Sequence, residues 1–129
     1  MYLYVLRLGK IKDPKFFIGK SEKIYNVPLA KLGGCFAAKY QPSDFEEVIV
    51  NGENINLDVI VLRYMRLYGI DNVRGGTFSS LKLCGYTKRV IQRLICDQIG
   101  VCYRCKRYGH SASDCGKFII FSPYLLKIF

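Results

Sequence analysis

The chain has 129 residues, half of them hydrophobic, and carries 20 Lys and Arg against 10 Asp and Glu for a net charge of +10. That size and apolar content exclude a disordered basic tail, because one domain of this length can bury a core. The charge predicts a phosphate-bearing or anionic partner, whether DNA, RNA, small nucleotide or lipid, and does not choose among them.

Taken in chain order, Tyr2 to Leu8 and Lys15 to Gly19 read as two strands rich in aromatic and branched residues, joined by a loop from Gly9 to Pro14. Ser21 is a candidate helix cap with a helix from Lys23 to Leu32 beyond it, disturbed at Val27-Pro28 and ended by Gly33-Gly34. Phe45 to Val50 reads as a third strand, preceded by Pro42 and closed by the turn Asn51-Gly52. Asn54 or Asn56 then caps a long helix ending near Tyr68 before Gly69, with Ile55, Val59, Leu62, Met65 and Leu67 as its expected buried stripe. A further helix from Thr87 to Ile99 turns Val90, Ile91, Leu94 and Ile95 inward and Lys88, Arg89, Gln92 and Arg93 outward. The order predicts a small α+β domain over residues 1–99, a metal module over 100–116 and a tail over 117–129.

Charge is unevenly placed. Residues 1–39 carry eight basic and two acidic side chains, residues 40–60 five acidic and no basic ones, and residues 61–129 twelve basic and three acidic ones. The acidic stretch, Asp44, Glu46, Glu47, Glu53 and Asp58, suits either a solvated strand face and loop or a divalent-cation site opposite basic phosphate contacts.

The metal module rests on Cys102, Cys105, His110 and Cys115, spaced C-x2-C-x4-H-x4-C. Zinc takes four such ligands in a tetrahedron, and four protein ligands leave no open position, so a structural Zn²⁺ is expected. Gly109 supplies the freedom for a sharp turn before the histidine. Tyr103 and Tyr108 flank Arg104, Lys106 and Arg107, which pairs stacking surfaces with phosphate-neutralising charge. At these residues, down to the aromatic after the first cysteine, the Gly-His pair and Ala112, the segment resembles the zinc knuckle of retroviral nucleocapsid proteins. That resemblance implies binding of single-stranded nucleic acid. A zinc staple that serves folding alone is the alternative.

Cys35, Cys84 and Cys96 remain outside this cluster. A zinc-type cluster beside three loose thiols favours a reducing compartment over a secreted disulfide framework. The start, Met1 to Arg7, is too short and too quickly basic for a signal peptide, and no run reaches the ~20 apolar residues that span a bilayer. The apolar tail from Phe118 to Phe129 is expected to pack back on the core, with a membrane surface or a protein partner as the alternative.

The amino-terminal part carries a second resemblance. Tyr2-Leu3-Tyr4 and Phe17-Ile18-Gly19-Lys20-Ser21 stand where the GIY-YIG nuclease superfamily places its two short motifs, on two strands followed by helix, strand and helix. Ala38 to Pro42 and Tyr64 to Gly76 resemble segments of small proteins of large DNA viruses, asfarviruses among them, that join a divergent GIY-YIG-like domain to a knuckle. The resemblance implies a three-stranded sheet with helices and a phosphodiesterase using Mg²⁺ or Mn²⁺. It also implies a setting in the infected cell's cytoplasm or in the virion. Its substrate would be single-stranded nucleic acid or a small cyclic or linear nucleotide, in genome handling or in blunting nucleotide-based host signalling. Carried over residue by residue, it implicates Tyr4 as the tyrosine, Asp58 or Glu53 as the metal carboxylate, Asn72 as the orienting amide, and Lys20 or Arg74 as the cation. Phe17 lacks the hydroxyl of the second motif's tyrosine, and Val27-Pro28 stands where the family has its arginine. A non-catalytic nucleic-acid chaperone or virion protein is the rival reading.

Overall fold

The computed structural model describes residues 1–110, 112 and 115, apart from the side chain of Ala30. The expected tail packing, and any partner or membrane surface there, lie outside the described residues. The chain divides into two units, Met1–Leu83 and Cys84–Phe129.

In the first unit, β1 (Tyr2–Leu8) pairs antiparallel with β2 (Lys15–Ser21) and, on its other edge, with β3 (Pro42–Ile49). A short strand, β4 (Val73–Gly75), adds parallel to β2, so the sheet has four strands in the order β3-β1-β2-β4 and is mixed. The three-stranded expectation missed β4. Gly75 admits it: a Cβ there would lie 2.2 Å from the carbonyl oxygen of Ile18, so only glycine lets the two backbones approach.

Strand alternation divides the side chains between the two faces. Tyr4, Leu6, Leu8 and Phe17 form one apolar face, packed with Leu32, Phe36 and Ala37 of two short helices, α1 (Leu29–Leu32) and α2 (Cys35–Tyr40). The single helix expected from Lys23 to Leu32 is therefore confined to its last turn, because Pro28 fixes extended backbone at its start. Helix α3 (Leu57–Tyr68) covers the other face: its Tyr64 and Tyr68 rings lie 5.4 and 4.4 Å from that of Phe16. Asn56 caps α3, its side chain accepting from the amide of Asp58 at 3.0 Å, and Gly69 follows its last residue. The buried residues of α3 are Ile60, Val61, Leu62, Tyr64 and Met65. Val59 and Leu67, expected inside, are 47% and 59% exposed, so the helix is rotated from the expected stripe.

The second unit opens with α4 (Gly85–Ile99), which buries Ile91, Ile95 and Cys96 and leaves Leu94 partly exposed. The thiol of Cys84 caps it, accepting from the Thr87 amide at 3.5 Å. At its end the Val101 amide donates to the Cys96 carbonyl at 2.8 Å, and Val101 bridges to Tyr108. By its contacts this helix groups with the knuckle in the second unit. Among the described residues, no helix is long and apolar enough to cross a membrane.

Candidate metal centre and nucleic-acid interface

The backbone after α4 folds back on itself within six residues. Cys102 donates its amide to Arg107 and receives that of Lys106 on its carbonyl, both at 2.8 Å, which closes the Cys102–Cys105 turn. Gly109 has φ +104°, a conformation that lets the chain reverse into His110 without Cβ strain. These turns bring the ligand atoms of Cys102, Cys105, His110 and Cys115 within 4.8 Å of one another. Tetrahedral Zn²⁺ with three thiolates and one imidazole requires ligand atoms about 3.5–3.8 Å apart, so the shell encloses a space fit for one ion.

The chemistry of the donors points the same way. Nε2 of His110 lies 3.3 Å from Sγ of Cys105, while Nδ1 is buried without a partner among the described residues, so Nε2 is the atom offered to the centre. Burial works against ionising Cys102, yet the backbone amides of Cys105 and Arg104 and the neighbouring thiols hold its pKa below the ordinary thiol value. Cys115 is pushed the opposite way, by burial and by its contacts with Cys102 and Cys105. Three sulfurs this close cannot all carry negative charge unless a cation sits among them, and a dication meets that demand.

Residues 100–117 match the family model of the zinc knuckle. No curated protein and no solved structure matches the chain. The knuckle is thus established by sequence family and by side-chain geometry together. A structural zinc site follows, and nucleic-acid binding is what a module of this kind suggests.

Around the centre, Arg104 is exposed and Tyr108 is 41% exposed, so a charged contact and a stacking face are both open to solvent. Tyr103 is placed differently: its hydroxyl donates to Gln92 at 3.4 Å, and the Lys106 ammonium covers one ring face 4.0 Å from the centroid. A cavity of about 260 Å³ beside the cluster is lined by Cys96, Asp97, Gly100, Val101, Gly109 and His110. Cys96 was not legible as a neighbour of the knuckle, since only the return of the chain at Gly100 places it there.

The candidates of the first unit do not gather at one point. Tyr4 is 4% exposed and its hydroxyl donates to the Leu32 carbonyl; burial pushes its pKa up. Arg74 is 3% exposed, with its guanidinium donating to the carbonyls of Ile70, Val73, Ser80 and Leu81 and lying 5.0 Å over the Phe36 ring. Both lie on the α1–α2 side of the sheet. Lys20 alternates to the other face and donates to the carbonyls of Glu53 and Ile55, at the approach to α3. Asp58, in the first turn of α3, accepts from Thr77 through its amide at 2.9 Å and its hydroxyl at 2.6 Å. Glu53 pairs with the Met1 amino group at 2.7 Å, a bond that lowers its pKa. Asn72 accepts from Lys15 at 2.7 Å and donates to the Tyr68 carbonyl at 2.7 Å. The fold brings Lys20, Glu53 and Asp58 to the start of α3 and leaves Tyr4 and Arg74 across the sheet from them. Each of these side chains holds protein partners rather than facing a common cleft.

Proposed function

We propose that the chain is a zinc-knuckle protein that binds single-stranded nucleic acid through the second unit. The carrying observation is the ligand cluster of Cys102, Cys105, His110 and Cys115 beside an exposed Tyr108 and Arg104. Zinc fixes the loop, Tyr108 offers a face for a base, and Arg104, Lys106 and Arg107 neutralise phosphates, with stacking contributing about 1–3 kcal/mol per base. A reducing compartment would keep the cysteines free of disulfides, and zinc would hold them as thiolates. Fluorescence anisotropy of labelled single-stranded DNA and RNA tests this with zinc-loaded and chelated protein. Binding present only with zinc supports the reading; equal binding without zinc overturns it.

Phosphodiester hydrolysis with Mg²⁺ or Mn²⁺ is the second reading, and the order of hairpin, short helices, third strand and long helix favours it. Under this reading Lys20, Glu53 and Asp58 at the start of α3 would hold the metal and phosphate after releasing their present partners. The same oligonucleotides and cyclic dinucleotides, incubated with either metal and resolved for products, decide it. Product that disappears in Asp58→Ala supports hydrolysis; no product from any substrate leaves a non-catalytic binder of the chaperone or virion kind.

A further inference from the structure

We propose that the first unit carries a separate phosphate-binding pocket around Lys15, suited to a phosphomonoester. A cavity of about 380 Å³ opens at the β1–β2 loop and is lined by Gly9, Lys10, Asp13, Lys15, Lys39 and Tyr40. That volume lies within the range of small-ligand sites. It stands at the far end of the hairpin from Tyr4 and Gly19, because Leu8 pairs with Lys15 at the loop end while Tyr2 pairs with Ser21 at the other.

Lys15 is the centre of the pocket. Its side chain is only 14% exposed, and its ammonium is held 2.7 Å from Asn72 Oδ1, 3.3 Å from Asp13 Oδ2 and 5.0 Å from the centroid of Tyr40. Asn72 is itself fixed by its bond to the Tyr68 carbonyl. The charge is therefore in position before a ligand arrives, which lowers the ordering cost of binding. Lys39, which also lines the cavity, places a second ammonium 5.2 Å from the centroid of the same ring and adds its positive charge to that of Lys15.

Charge selects the ligand. Three ammoniums and one carboxylate leave the pocket with two net positive charges. A phosphomonoester carries about −1.5 to −2 at neutral pH and offers three acceptor oxygens, whereas a diester in a strand carries a single charge. Asp13, with 70% of its side chain exposed, makes only a rim contact to Lys15 that an entering phosphate displaces. The phosphate could belong to inorganic phosphate, a free nucleotide or the end of a strand; the chemistry is shared.

The test is an NMR titration of zinc-loaded full-length protein at constant ionic strength, following the signals of Gly9, Lys10, Lys15, Lys39 and Tyr40. The probes are inorganic phosphate, a nucleoside monophosphate, a 5′-phosphorylated oligonucleotide and the same oligonucleotide with hydroxyl ends. Saturable shifts with phosphomonoester probes, absent with chloride and with the hydroxyl-ended strand, are expected. Lys39→Glu and Lys10→Glu, both at exposed positions, should each weaken binding about tenfold while leaving the circular dichroism spectrum unchanged. No saturable shift with any phosphate probe overturns the proposal. So do equal shifts with the hydroxyl-ended strand, or affinities unchanged in both variants.

Discussion

Tyr4 and Gly19 face each other across β1 and β2, and a Cβ on Gly19 would stand 2.5 Å from the Tyr4 hydroxyl oxygen and 2.8 Å from Cζ. The tyrosine thus lies over the glycine to reach the Leu32 carbonyl, tying the sheet to α1. Tyr4→Phe should leave that buried carbonyl without its donor and cost about 1–3 kcal/mol. Gly19→Ala should destabilise by a similar amount through overpacking, about 1–3 kcal/mol. Urea unfolding measures both, and zinc content should be the same in each variant as in the parent.

Arg74 makes a sharper case, because one guanidinium serves four carbonyls in an almost fully buried position. Burial lowers its pKa, but a guanidinium stays charged in any accessible pH range. Arg74→Ala should cost about 3 kcal/mol or more, and Arg74→Lys should recover little, since an ammonium cannot address four diverging oxygens. Loss of folded protein on thermal melting reads the effect. A variant as stable as the parent would contradict the structural role.

The alkaline limb of stability should report Tyr64. Its phenol is pushed far up, first by burial, then by its 2.7 Å bond to Glu47 and the charge of that carboxylate. A group whose folded pKa exceeds its unfolded value contributes stability that is full below the unfolded pKa, about 10 for tyrosine, and is lost as pH rises toward the folded one. Tyr64→Phe should therefore show a shallower fall in stability above about pH 10 than the parent. Parallel profiles for the two proteins would contradict it.

Cys84 combines a cap with an activated thiol. Its pKa is lowered, chiefly by the bond with the Thr87 hydroxyl 3.2 Å away and then by the Thr87 amide. Alkylation of zinc-loaded protein, followed by mass spectrometry, should modify Cys84 with a pH midpoint below that of an ordinary thiol. Thr87→Val should raise that midpoint. Cys84→Ala should cost about 1 kcal/mol in α4, as loss of a cap does, while Cys84→Ser should cost less.

The sequence made the knuckle legible because ligand spacing is local: metal geometry needs only fourteen residues, and Gly109 marks the turn. The strands β1 and β2 were also legible, through their aromatic and branched residues, as was the end of α3 through Gly69, while its start was narrowed to Asn54 or Asn56. The phase of α3 was not. Apolar residues run almost all round it, from Leu57 through Ile60, Val61 and Leu62 to Leu67, so periodicity alone did not decide that Val59 faces out. Strand β4 is three residues long and its pairing depends on the absent side chain of Gly75, a tertiary fact. The resemblance placed Tyr4 in one site with Asp58 or Glu53 and with Lys20 or Arg74 as the cation. Alternation along β1 and β2 already sets Tyr4 and Lys20 on opposite faces once the register is known.

The central claim, that the zinc-held loop grips a single strand, is tested most directly by the salt dependence of binding. Affinity of zinc-loaded protein for a single-stranded oligonucleotide should fall steeply with salt, by about 0.7 in log–log slope per phosphate contacted. The double variant Arg104→Ala/Arg107→Ala should flatten that slope by about 1.4, and Tyr108→Ala should weaken binding with the slope unchanged. An affinity and slope unmoved by these substitutions would contradict the claim.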